Sequence, residues 1–184
     1  MAVTATNVAA GKPKVTGAIS AAALGSTLPT DATTALDAAF TTLGYVSDDG
    51  LTQTIERTVE NVRAWGGDTV LTTQTEFLET FTFQLIEVLN VDVRKEVFGQ
   101  SNVTGTLATG ITTTVNASEL TARAWAIDMV VNGAVTRIVI PNGKVSEIGD
   151  IEYVDDDAIR YPVTVTALPD ASGNNSYEYT KSTN

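Results

Sequence analysis

The chain has 184 residues with 11 Lys+Arg against 22 Asp+Glu, a formal net charge of −11, and contains no Cys and no His. Those absences remove disulfides, thiol nucleophiles, Cys/His zinc sites, the Ser-His-Asp triad and the usual neutral-pH proton shuttle, which leaves an enzyme as the less favoured class. The acid excess argues against gripping nucleic acid by its phosphates, and 43% hydrophobic residues suffice for one domain with a core that needs no staples. No basic segment followed by an apolar core begins at Met1, and no run reaches about 18 apolar residues, so neither a secretory signal nor a membrane span is expected.

About one residue in six is Thr and Val is abundant, a bias toward half-buried strands and a mainly β protein. Residues 1–17 lack sustained periodicity and read as an arm; Thr16 to Leu24 is a candidate first strand. Ala32, Ala35, Leu36, Ala39, Phe40 and Leu43 recur at helical spacing between Thr30 or Asp31 as N-cap and Gly44 as terminator, which predicts a short amphipathic helix. From Leu51 to Glu60 the period is two, as it is from Val70 to Ile86, with Trp65-Gly66-Gly67-Asp68 as a turn between them: a long β-hairpin. Ile86, Leu89, Val93 and Val97 form a stripe that ends at Gly99, a second helix. Strands over 123–131 and 134–140 flank Asn132-Gly133, a strong hairpin signal, and Pro141-Asn142-Gly143 reads as a further turn. Ile159 to Ala167 alternates, with Pro162 suited to an edge or a strand start; after the turn at Pro169 to Asn175, Tyr177 and Tyr179 suit a last short strand. The body is therefore expected over 18–170, with an arm before it and a strand or tail over 171–184.

Few residues suggest chemistry. The acids Asp150, Glu152, Asp155, Asp156 and Asp157 are the place to look for a hard cation, but they lack a calcium-loop pattern and read as a solvated loop. Glu56/Glu60 and Glu76/Glu79 could pair as glycosidase carboxylates; nothing in the sequence raises either pKa, and surface roles are favoured. Trp125 sits in an apolar strand face and belongs to the core. Trp65, at a hairpin tip, is balanced between local packing and contact with another protein. Gly66-Gly67 lacks the Lys and the following helix of a phosphate loop. No cofactor and no metal site is expected.

Taken in order, these segments resemble a known family. Leu28-Pro29-Thr30-Asp31, then Leu43-Gly44-Tyr45-Val46-Ser47-Asp48-Asp49-Gly50-Leu51, then Arg63-Ala64-Trp65-Gly66-Gly67-Asp68, Thr75 to Phe81, Phe98-Gly99, and Asp156 through Ala167 with Pro169-Asp170 are similar to the major tail proteins (tail tube proteins) of long-tailed bacteriophages, over most of residues 15–180. Ser101 to Asn116 matches least. The resemblance implies a β-sandwich or partly closed barrel with one flanking helix and a short second helix. It further implies hexameric rings whose inner strands share one barrel, stacked into a tube that conducts DNA without binding it specifically. A tape-measure protein in the lumen, a tail terminator and distal tail or baseplate proteins would be its partners, the virion tail its place, and the host cytoplasm its site of assembly, with no membrane. On that reading Glu56, Glu60, Glu76 and Glu79 are the lumen-facing candidates, part of which set is expected to face the channel. Lys12, Lys14, Arg63, Trp65, Asp68, Tyr177 and Tyr179 are expected at inter-ring or inter-subunit contacts. The alternatives are a related tube, terminator or baseplate component of a tail or injection system and, from another class, a monomeric β-sandwich binding module.

Overall fold

The computed structural model describes residues 8–14 and 17–182, so the parts of the expected arm at 1–7, 15 and 16, and the last two residues of the tail, lie outside the described residues. In chain order the elements are β1 (Gly11–Pro13), β2 (Ile19–Ala23), β3 (Thr41–Thr42), β4 (Val46–Arg63), β5 (Thr69–Leu85), α1 (Val91–Phe98), β6 (Val103–Thr106), β7 (Gly110–Thr113), β8 (Arg123–Val131), β9 (Ala134–Ile148), β10 (Tyr161–Ala167) and β11 (Tyr177–Ser182). All pairings are antiparallel. The main sheet runs β3-β2-β8-β9-β10-β5-β4, with β1 added to β8 and β11 to β9; its ends do not meet, and β6 and β7 form a separate hairpin. Among the described residues the fold is mainly β with one helix, as the strand-rich composition predicts. Among the described residues no helix is long and apolar enough to cross a membrane.

The core gathers the inward residues of the alternating strands: Phe81, Phe83 and Leu85 of β5, Tyr161, Val163 and Val165 of β10, Trp125 and Ile127 of β8, and Ile138 and Ile140 of β9. The helix closes one side with Val93 and Val97, and Phe98 meets Tyr161 edge-on at 5.4 Å. Its start is set by Asn90, whose side chain accepts from the Asp92 N–H, and its end by Gly99 at φ 104°. It is therefore shorter than the apolar stripe from Ile86 suggests: 86–90 turns on bonds from Val88 to Ile86 O and from Asn90 to Glu87 O. At its flank buried Glu96 pairs with Arg123 at 2.8 Å, and burial raises its pKa more than Arg123 lowers it.

Two expectations fail for identifiable reasons. The helix expected before Gly44 does not form. Asp31 does act as a cap, accepting from the N–H groups of Thr33 and Thr34, both at 2.6 Å. But the carbonyls of Asp31 and Thr34, which a continuing helix would turn toward Ala35 and Ala38, accept instead from the Arg137 guanidinium at 3.2 and 2.8 Å. Arg137, 1% exposed, also holds Asp128 through two bonds of 2.6 and 2.9 Å, and Lys14 reaches the same carboxylate at 3.4 Å. The segment is thus laid over the sheet as turns, capped a second time by Asp37 on the Ala39 N–H.

The turn expected at Pro141-Asn142-Gly143 is likewise absent, because β9 runs straight through it. β8 pairs Trp125 with Ile140 and then Arg123 with Gly143, so two residues of β9 oppose Ala124 in a bulge that accommodates a proline lacking an N–H. Gly143 serves close approach instead: its carbonyl accepts from the Trp125 indole at 3.1 Å, and a Cβ there would lie 2.6 Å from the ring. The Asn132-Gly133 turn forms as expected, both residues at positive φ, 46° and 79°. Pro162 lies second in β10, taking the strand-start option within an interior strand.

Candidate assembly surface

The 18 residues of β4 and 17 of β5 exceed what the core uses. Cross-strand partners in an antiparallel pair share a face, so Gln53, Ile55 and Arg57 lie with Phe81, Glu79 and Phe77, while Thr52, Thr54, Glu56 and Thr58 lie with Thr82, Thr80, Leu78 and Glu76. The first face is covered where it meets the core, at Phe81 and Phe83. Beyond Phe77 both faces are in solvent, and Val59, Val62, Val70 and Leu71 are exposed. This two-stranded ribbon projects roughly 20 Å at ordinary strand rise. Its ladder is reinforced by Thr72 to Asn61 at 2.7 Å, Arg57 to Gln74 at 2.9 Å and the Arg57 guanidinium 4.6 Å from the Phe77 ring centre. At the tip Gly66 and Gly67 have φ of 124° and 103°, Ala64 N–H donates to Asp68 O at 2.8 Å, and Trp65 is 107% exposed. A free ribbon of this kind is marginal in water, and the outer edge of β4 pairs with no strand among the described residues.

The four glutamates named as lumen candidates are divided between two faces. Glu56 and Glu76 share the threonine face, Glu60 continues it beyond the bulge at Thr58/Val59, and all three are exposed. Across β10 and β9 this face goes on through Thr164, Thr166, Lys144 and Glu147, with Thr82 and Thr164 hydroxyls 3.2 Å apart. Glu79 alternates with Phe77 and Phe81 and so turns to the core face. It is 3% exposed, and its Oε1 accepts from Gln53 Nε2 at 2.7 Å and from Ser176 Oγ at 2.8 Å. The alternation of phenylalanines already contained that signal, which grouping the acids by charge overlooked.

The expected contact residues fall at three places. Lys12 lies on β1 opposite Val130, and Lys14 beside Asp128, so part of the arm is an added strand on β8. Arg63, Trp65 and Asp68 occupy the ribbon tip. Tyr177 and Tyr179 lie on β11 with parallel rings 6.3 Å apart. Tyr177 donates to Asp170 at 2.6 Å, which raises the phenol pKa and is the main cause of the lowered carboxyl pKa. The acidic run 150–157 forms a loop in which Asp157 accepts from the Ala158 N–H and from Arg160; both depress its pKa, the backbone bond most. Among the described residues no group of three or more acids is placed to hold a metal ion.

A family model for phage tail tube proteins matches residues 5–183. The chain belongs to the phage tail tube protein family. It is accordingly a structural component of a phage tail and its place is the virion. No curated protein matches it as a relative. Among solved structures, the tube-terminating cap of the anti-feeding prophage, determined by cryo-EM, aligns at 10% identity and a TM-score of 0.48, over 98% of this chain and 100% of that one.

Proposed function

We propose that this family member polymerises as stacked hexameric rings into the tube of a long phage tail and conducts DNA during ejection. The observation that carries the reading is the ribbon. Fourteen described residues at 57–63 and 69–75 hold two-stranded structure in solvent with apolar side chains on view, beside a long unpaired edge, and copies of the same chain would cover both. The body at 18–170 would form the ring, and the arm at 1–17, the tip and the strand at 171–184 would bridge neighbours.

On this reading the threonine face lines the channel. Glu56, Glu60 and Glu76 add negative charge that repels phosphate, whereas Glu79 takes no part. A tape-measure protein would occupy the lumen during assembly in the host cytoplasm, with a terminator at one end and distal tail proteins at the other. Electron microscopy of the purified chain is the test: tubes with a central channel support the proposal, isolated rings favour a terminator or distal component, and a monomer at all concentrations refutes it.

A further inference from the structure

The core face of the ribbon contains a groove that in-chain structure leaves open. It has a volume of about 420 Å³ and lies where β5 parts from the 173–176 loop, lined by Gln53, Ile55, Arg57, Phe77, Glu79 and Ser176 among others. Three properties make it specific. Glu79 is a nearly buried carboxylate whose Oε1 takes both neutral donors, while among the described residues Oε2 accepts nothing and no cation pairs with it. Ile55 and Phe77 form an apolar wall. Arg57 lies over one ring, Phe77, and its guanidinium can take a second aromatic on its other face.

The complementary groups are at the tip of the same ribbon. Trp65 is fully exposed, and Arg63, two residues away, has no carboxylate partner among the described residues. From Glu79 to the tip is at least ten residues of extended strand, about 30 Å or more, so the tip does not fold back into its own groove. We infer that the groove beside Glu79 is the socket for the ribbon tip of a second copy, Trp65 seated against Ile55, Phe77 and Arg57 and Arg63 paired with the free oxygen of Glu79. The contact is heterologous: each copy offers one tip and one socket, so it links copies head to tail, around a ring or from ring to ring, and not as a self-limited pair. It places a charge pair and an aromatic anchor in one desolvated pocket, the composition of an interface hot spot. The inference rests on the self-assembly reading above and names the surface through which successive copies engage.

The test exploits the absence of cysteine from the sequence. In the full-length chain, Ala64→Cys at the tip and Ile55→Cys at the groove are combined and oxidised under assembly conditions. The expected result is a ladder of disulfide-linked chains beyond the dimer on a non-reducing gel, because each link joins different copies; either substitution alone yields dimers at most. In parallel, Trp65→Ala should raise the concentration for half-maximal assembly at least about tenfold, as loss of a hot-spot aromatic does. Glu79→Gln, which keeps the shape and an acceptor for Gln53 and Ser176, should raise it several-fold and weaken its salt dependence. Tubes by electron microscopy from a double-cysteine chain that gives no ladder overturn the socket while leaving tube formation intact. A wild-type chain that sediments only as a monomer overturns both.

Discussion

Replacing Arg137 with Met separates the buried ion pair from the rest of the fold. Arg137 makes two charge-assisted bonds to Asp128, of 2.6 and 2.9 Å, with both side chains almost wholly buried. Breaking such a pair from one side leaves a buried carboxylate without its partner and costs about 3–5 kcal/mol. Lys14 remains 3.4 Å from Asp128, so the ionic part is placed at about 3 kcal/mol. The carbonyls of Asp31 and Thr34 lose their donor as well, worth about 1 kcal/mol each where water does not replace it. The expected sum is about 3–5 kcal/mol, or a Tm lowered by roughly 6–20 °C for a chain of this size. Urea unfolding followed by tryptophan emission, at a concentration where the chain sediments as a monomer, measures it. The double variant Asp128→Leu/Arg137→Met should recover most of the loss, since it leaves no unpaired charge in the interior. A single variant that costs less than about 1 kcal/mol would refute the assignment of Arg137 as the strut under the 31–34 segment, and a double variant no better than the single would refute the ion pair as the main part of the cost.

Asp31 supplies a pH-dependent counterpart. Its hydrogen bonds from Thr34 and Thr33 hold its carboxyl far below the usual carboxylate range, so its stabilising contribution is complete above the unfolded-state pKa and is lost as pH falls toward the folded-state pKa. Asp31→Ala should flatten the decline of stability between pH 4 and 2, measured as urea midpoint against pH; an unchanged slope contradicts the cap. Gly143→Ala places a Cβ 2.6 Å from Trp125 and 2.9 Å from Val165, with an expected cost of about 1–3 kcal/mol and an altered near-ultraviolet signal from Trp125 in a Trp65→Phe background. For the channel, tubes built from Glu56→Lys/Glu60→Lys/Glu76→Lys subunits should retain duplex DNA in low salt and release it steeply as salt rises, whereas wild-type tubes retain none. Equal retention by the two would remove the acidic lining from the mechanism.

The β elements were legible because their signal is local. Period-two alternation across β4, β5 and β10, and Asn132-Gly133 between β8 and β9, report backbone geometry that neighbouring residues share. The failed helix before Gly44 had equally good local credentials, a capping Asp and an apolar stripe. What defeated it was Arg137, more than a hundred positions away in sequence, which takes the carbonyls the helix needs. Pro141 misled in a similar way, since a bulge opposite Ala124 is a property of two strands and of neither alone. The socket was hidden for a different reason. Glu79 reads as one more surface acid until the phase of Phe77 and Phe81 is applied to it, and its partners Gln53, on the paired strand, and Ser176, in a loop, lie 26 and 97 positions away in sequence.

The bulged, two-faced ladder of β4 and β5 also makes ribbon length a stepwise variable. Removing one residue from each strand would shorten the reach by about 3.3 Å and exchange the threonine face with the face that carries Arg57 and Phe77 along the whole projecting part. Removing two from each would shorten it by about 6.6 Å and restore both faces. A ribbon of this design can therefore lengthen or contract in evolution only by paired insertions of even size, and any axial spacing it sets between successive copies is quantised in units of one strand pleat.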